Sequence, residues 1–256
     1  MSHSIMKGKK ILIVGIANEQ SIAYGCAKVL REQGAELCIT YLNEKAKRFV
    51  EPLAAELEAD MLLPLDVSQE GQLQQLFVEI EQKWGRLDGL IHSIAFCPME
   101  DLRAPISDCS RNGFLQAMDV SCYSFIEMAR LAKPLMTNGG GLVNFSYLGS
   151  AMAVEDYNVM GVAKAALEAS TRYLARDLGP QGIRVNCISP GTIATRAASG
   201  IKDFDSMLRY NQEKSVDHKL PTITEVGNAA LYYLSDLSTG VTGTIHYVDH
   251  GVNIVG

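Results

Sequence analysis

"KILIVGIANEQSIAYG", residues 10–25, decides the fold. The run "KILIVGIA" (10–17) is short and largely apolar, the pattern of a buried strand, with Gly15 within it. "SIAYGCAKVLREQG" (21–34) then reads as a helix ended by Gly34 as its C-cap. In a doubly wound sheet, such a strand–turn–helix unit aims helix N-terminal N–H groups at a dinucleotide pyrophosphate. The usual three glycines do not recur at their usual spacing. Gly15 supplies the tight turn, small Ser21 and Ala23 stand at the close-approach positions, and Gly25 lies one helical step further. A plain strand-to-helix turn would look similar. Its place on the first strand of an alternating chain favours the nucleotide.

Outward from this unit, strands and helices alternate. Strands are expected at 35–42, 61–67, 87–96, 141–149, 183–191 and 243–249. Helices are expected at about 44–58, 69–84, 111–133, 157–178 and 224–236, the last opened by a capping box of Thr222 and Glu225. Strands apolar on both faces belong to a parallel sheet covered on both sides. The expected fold is therefore α/β, a single doubly wound parallel sheet with helices on both faces, spanning 1–256 as one domain. The stretch 192–221 is polar, weakly periodic and longer than ordinary connections, as lids and binding loops are.

Composition narrows the function. The chain of 256 residues has a net charge of −6, with scattered basic residues, which argues against nucleic acid or an anionic membrane surface as partner. No apolar run approaches a membrane span. The six cysteines form no C-x-x-C pair, and "MSHSIMKGKK" at the N-terminus lacks an apolar h-region. A reduced, cytoplasmic protein is expected. The five histidines show no metal-ligand spacing, so no metal site is expected.

"EDYNVMGVAK" (155–164) carries the chemistry. On a helix, residues i and i+7 fall within about 20° of each other, so Tyr157 and Lys164 are expected on one face, with Met160 near the same stripe. Most Tyr/Lys stripes are surface decoration. This one follows a strand whose carboxyl end carries Ser146 and Tyr147, and ligands of such sheets sit at carboxyl ends. Two tyrosines and a lysine offer no histidine base. A neutral phenol instead suits an oxygen that becomes negative, and a nearby ammonium would lower its pKa and help hold that charge. Beside a nicotinamide, such a set points to hydride transfer. Strand two ends in "TYLNEK" (40–45), with neither an acid for the adenosine ribose nor a prompt basic residue for a 2′-phosphate, which favours NADH over NADPH. Asp66 suits the adenine amino group or a helix N-cap equally.

On "SIAYG" (21–25), "HSIAF" (92–96), "SYLG" (146–149), "YNVMGVAKAALEAS" (157–170) and "ASGIKDF" (198–204), the chain resembles the short-chain dehydrogenase/reductases. More narrowly, it resembles the bacterial enoyl-acyl-carrier-protein reductases of type II fatty-acid synthesis. The wider superfamily spaces Ser, Tyr and Lys as Tyr147, Met160 and Lys164 are spaced here, and the working phenol has moved three residues earlier, to Tyr157. The resemblance implies that hydride from NADH adds to the β-carbon of a trans-2-enoyl thioester. Tyr157 would bond the thioester oxygen, Lys164 the nicotinamide ribose, and Tyr147 would line the acyl pocket. It implies cofactor contacts at Gly15, Ser21, Ile22, Ala23, Asp66, Val67, Ser93, Ile94, Ala95, Lys164, Ile193 and Thr195. Substrate contacts are implied at Ala95, Tyr147, Tyr157, Met160 and Met207, with Phe204 and Ile201 also lining a lid at about 195–215. The implied partners are acyl carrier protein bearing the enoyl thioester and further copies of the chain in a homotetramer, joined through helices 111–133 and 157–178 and the last strand.

The sequence also departs from that pattern. "SPGTIATR" (189–196) reads more like the wider superfamily, Arg196 puts a charge where the lid begins, His250 stands where a glycine is expected, and Cys97 lies beside the acyl entrance. A reductase of keto or enone compounds is the alternative within enzymes. A non-catalytic NAD-binding paralogue is the alternative outside them.

Overall fold

Among the described residues, seven strands pair in parallel into one sheet of order β3-β2-β1-β4-β5-β6-β7. They are β1 (Lys10–Val14), β2 (Glu36–Tyr41), β3 (Met61–Pro64), β4 (Gly89–His92), β5 (Gly140–Phe145), β6 (Ile183–Pro190) and β7 (Ile245–Val248). The computed structural model describes residues 4–195 and 203–255. Alternate strand residues enter two separate cores, as the doubly apolar runs require. Ile11, Ile13, Leu37 and Ile39 pack on one side with Leu30, Val226 and Ala230. Leu12, Val14, Leu90 and Leu142 pack on the other with Phe77, Phe125 and Leu167. The strand order reverses at β1, whose neighbours are β2 and β4. That reversal opens a crevice at the carboxyl ends of the strands.

The first core is covered by α1 (Ile22–Glu32), α2 (Glu44–Glu56) and α9 (Ile223–Leu234). The second is covered by α3 (Gln72–Trp84), α6 (Ser124–Ala132) and α7 (Asn158–Leu178). Gly25 has a packing role that its distance from the turn concealed: a Cβ there would strike the Ile223 carbonyl, and one on Gly227 would lie 2.7 Å from the Gly25 carbonyl oxygen. The two glycines let α1 and α9 meet backbone to backbone. The capping box forms as expected. Glu225 N–H donates to Thr222 Oγ1 at 3.2 Å, and Thr222 N–H donates to the Glu225 carboxylate at 2.7 Å.

Several elements differ from expectation: β1, β3 and β5 end at Val14, Pro64 and Phe145, short of the expected 17, 67 and 149. β4 ends at His92, because residues 93–97 leave the sheet to line the crevice. The long helix expected at 111–133 divides into α5 (Arg111–Met118), a π-helical turn (Asp119–Tyr123) and α6. The extra residue turns the buried Ser121 hydroxyl toward the 93–97 segment, where it accepts from Phe96 N–H at 3.1 Å. Part of the lid region is helical, as α8 (Phe204–Lys214). The expectations for Arg196 and Ile201 fall outside the described residues. His250 adopts φ +52°, the left-handed backbone that favours glycine. Its ring bridges Asp217 (3.0 Å) and Glu225 (3.5 Å), tying the segment after α8 to the start of α9.

Candidate active site

The carboxyl ends of β1, β4, β5 and β6 enclose a cavity of about 570 Å³. Gly15, Ala17, Ser21 and Ile22 line it from the first turn, and 93–97 from the loop after β4. Phe145 ends β5, with Ser146 and Tyr147 after it; Tyr157, Met160 and Lys164 come from α7 and its approach; Pro190 ends β6, with Gly191, Thr192, Ile193 and Thr195 after it. Phe204 and Met207 of α8 complete the wall, with Met99 and Leu102 of a short helix α4 (Met99–Arg103).

The first turn is shaped for a close backbone approach. Gly15 sits at φ +116°, and any Cβ there would collide with the Ser93 carbonyl. Ser21 stands at the N-cap of α1, yet its hydroxyl turns back to accept from Ala17 and Asn18 N–H groups at 3.0 and 3.1 Å. No side chain caps α1, so its first N–H groups are left for an anion. Ala23 is in the core at 0 % exposure, so its side chain does not line the cavity. Asp66 and Val67 also lie away from the cavity wall, beyond β3. Asp66 accepts from Ser68 N–H at 3.0 Å and so closes a turn; Gly71, not Asp66, occupies the N-cap of α3.

Tyr157 reaches the cavity by a route that helical periodicity does not describe. It precedes α7, between Asp156 at φ +59° and Asn158 at φ +42°. The left-handed Asn158 breaks the regular advance from Tyr157 to Lys164, so helix rotation is not what brings them together. Asp and Asn tolerate that backbone better than other residues with a side chain. The Asn158 amide donates to the Leu102 carbonyl at 3.1 Å and anchors the turn. The Tyr157 ring lies over Gly149, where a Cβ would collide with it, and 4.8 Å from the Tyr147 ring. Burial pushes the phenol well above its ordinary range, and the neighbouring Tyr147 adds to this. The lowering expected from the lysine ammonium is not found, and Tyr157 is a protonated donor at neutral pH, not a phenolate.

Tyr147 is held by its hydroxyl, 3.2 Å from Thr192 Oγ1 and 3.7 Å from Met207 Sδ. Burial raises its pKa too, while hydrogen bonds to Thr192 and Asn211 oppose the rise. Lys164 is buried at 7 % exposure and donates to the Phe145 carbonyl at 2.6 Å. An ammonium has three donors, so two remain for hydroxyls in the cavity. Burial pulls its pKa down to about 8. Behind it, His92 donates from Nε2 to Ser124 at 2.7 Å, since the Ser124 hydroxyl itself donates to the Val120 carbonyl. Burial and the lysine charge together lower His92 to about 3, so it stays neutral. Cys97 lines the cavity as a protonated thiol, raised to about 11 chiefly by burial.

Of the residues expected from sequence, Gly15, Ser21, Ile22, Ser93, Ile94, Ala95, Tyr147, Tyr157, Met160, Lys164, Ile193, Thr195, Phe204 and Met207 all line this one cavity. Phe96, Met99, Leu102 and Thr192 were not foreseen as lining. A glycine pivot, an uncapped helix and a buried lysine with spare donors fit a dinucleotide and its ribose. The apolar side chains of α4 and α8 fit an acyl chain.

A family model described as Enoyl-(Acyl carrier protein) reductase matches residues 15–253. The chain is 50 % identical to the enoyl-acyl-carrier-protein reductase (NADH) 2 of Rhizobium meliloti strain 1021, covering 98 % of this chain and 94 % of that one. It is 44 % identical to the NADH-dependent FabI of Escherichia coli K12, covering 97 % and 95 %. The crystal structure of the Anaplasma phagocytophilum reductase in complex with NAD superposes with a TM-score of 0.95 at 47 % identity, covering 98 % and 96 %. That of the Bacillus cereus reductase with NADP+ and indole naphthyridinone gives 0.96 at 45 %, covering 98 % and 99 %.

Proposed function

The chain belongs to the enoyl-(acyl carrier protein) reductase family, and from that premise we propose how its own residues carry the reaction. It is an oxidoreductase that reduces the carbon–carbon double bond of trans-2-enoyl-acyl-carrier-protein thioesters with NADH, the last step of the type II elongation cycle. NADH, when bound, supplies the hydride that adds to the β-carbon. Gly15, Ser21, Ile22 and the N-terminus of α1 hold the pyrophosphate, and Ser93, Ile94, Ala95, Ile193 and Thr195 hold the nicotinamide half. Asp66 and Val67 meet the adenine end.

One observation carries the residue roles: the Tyr157 phenol and the Lys164 ammonium line the same cavity. As the β-carbon is reduced, charge moves to the thioester oxygen, Tyr157 donates a hydrogen bond to it, and a proton added at the α-carbon then completes the reduction. Its raised pKa keeps the proton on the phenol before reaction, while the emerging enolate is the stronger acceptor. Lys164 bonds the nicotinamide ribose with its two spare donors and adds positive potential. Tyr147, Met160, Met207 and Phe204 enclose the acyl chain and exclude water.

The chain acts as one catalytic domain in the cytoplasm, a reading supported by six free cysteines and by the lack of any described helix able to cross a membrane. It assembles as a homotetramer. Leu115 and Tyr123 on the α5–π segment, with Val162 and Tyr173 on α7, expose large apolar surface that a second copy would cover. Acyl carrier protein delivers the substrate. NADH oxidation followed at 340 nm tests the reaction class. Turnover is expected with crotonyl thioester and not with acetoacetyl thioester; turnover of the keto compound alone would make the chain a ketoreductase, and NADH binding without either would make it a silent paralogue.

A further inference from the structure

Helix α7 grips the 145–150 segment on three successive turns. Gly161 lies against Gly149, where a Cβ would stand 2.7 Å from the Gly149 carbonyl oxygen. Lys164 bonds the Phe145 carbonyl. One turn further, the Glu168 carboxylate accepts from both the Ser146 and the Ser150 hydroxyls. Ser150 Oγ also lies 2.9 Å from the Tyr147 carbonyl oxygen. These two serines flank Tyr147, so a single carboxylate pins both sides of the residue whose phenol lines the acyl cavity. The same carboxylate sits four residues after Lys164, on the neighbouring helical turn.

Burial dominates the electrostatics of Lys164, and Glu168 is the carboxylate among the groups that act on it. Four groups from four elements face the ammonium: His92 from β4, Cys122 from the π-helical turn, Cys187 from β6 and Glu168 from α7 itself. His92 is neutral, and the buried Cys187 thiol, raised to about 12, is neutral over the range in which the lysine titrates. The Cys122 thiol shares a hydrogen bond with Ser170 at 3.4 Å. Tyr247 of β7, whose phenol the Glu168 charge also affects, is pushed up chiefly by burial. Glu168 is thus the one carboxylate among the described residues that acts on the Lys164 charge.

We propose that Glu168 is a positioning residue for the reaction: it fixes the 146–150 turn that presents Tyr147, and its negative charge, one helical turn from Lys164, favours the ammonium. The inference rests on the roles assigned above to Tyr147 and Lys164. It separates two effects that one residue exerts, and two variants tell them apart. Glu168→Gln keeps the shape and an acceptor oxygen but removes the charge. Glu168→Ala removes both.

The test is kcat/KM against pH from 6 to 9.5 with NADH and crotonyl thioester, on wild type and both variants, with thermal melting to confirm folding. In the wild type, activity falls as pH rises through the lysine pKa. Glu168→Gln is expected to move that alkaline limb to lower pH by about half a unit or more, since a lost neighbouring anion destabilises the ammonium. Glu168→Ala is expected to show the same shift and, in addition, a KM for the thioester raised about fivefold through a loosened Tyr147. A folded Glu168→Gln protein with an unmoved limb, or a Glu168→Ala protein with wild-type KM, overturns the inference while leaving the Lys164 reading standing. A wild type with no alkaline limb overturns both.

Discussion

Replacing Tyr157 with Phe is expected to lower kcat by about two to three orders of magnitude and to leave the protein folded. The substitution removes one oxygen from a ring that is otherwise packed on Gly149 and against Tyr147, so the apolar contacts survive. What is lost is the donor to the oxygen that becomes negative. Loss of one such donor raises the barrier by about 3–4 kcal/mol, because the interaction strengthens only as charge develops. The signature is specific: kcat and kcat/KM fall together, while NADH affinity measured by fluorescence stays near the wild-type value. A Tyr157→Phe enzyme retaining more than half of the wild-type kcat would remove the phenol from the mechanism.

The second large effect is expected at Lys164. Lys164→Met keeps most of the buried stem but removes the charge, the bond to the Phe145 carbonyl and the two donors left for the ribose. A loss of about 100-fold or more in kcat/KM is expected, together with weaker NADH binding, which distinguishes this residue from Tyr157. The pH profile gives the sign. Burial lowers the lysine pKa to about 8, so in the wild type the productive ammonium is lost as pH rises through that value. The alkaline limb should therefore be present in wild type and absent from the residual activity of Lys164→Met. Wild-type NADH affinity in the variant would show that the ammonium does not reach the cofactor.

These two residues also show how far the sequence could be read. The sheet was legible because each strand is a short apolar run feeding both cores, and Gly15 marked the turn. The pairing of Tyr157 with Lys164 was legible as a motif, but for an incomplete physical reason. The phenol sits in a turn outside the helix, held by left-handed Asp156 and Asn158. That signal was present, since "DYN" (156–158) places turn-forming residues on both sides of the tyrosine. The π-helical turn at 119–123 left no comparable mark. Its apolar spacing reads as continuous helix, and the single extra residue shows only in where Ser121 points. Helix α8 was obscured by its polar composition, since only a narrow side of it, with Phe204 and Met207, meets the cavity. The rise in the Tyr157 pKa was missed because it comes chiefly from burial, which depends on the tertiary fold.

A crystal structure of the chain with NAD+ and an unreactive acyl thioester places every group at once. The Tyr157 phenol should lie within hydrogen-bond distance of the thioester oxygen, with Lys164 Nζ on the nicotinamide ribose hydroxyls. A thioester oxygen bonded elsewhere, with the phenol directed away from the nicotinamide, would contradict the account.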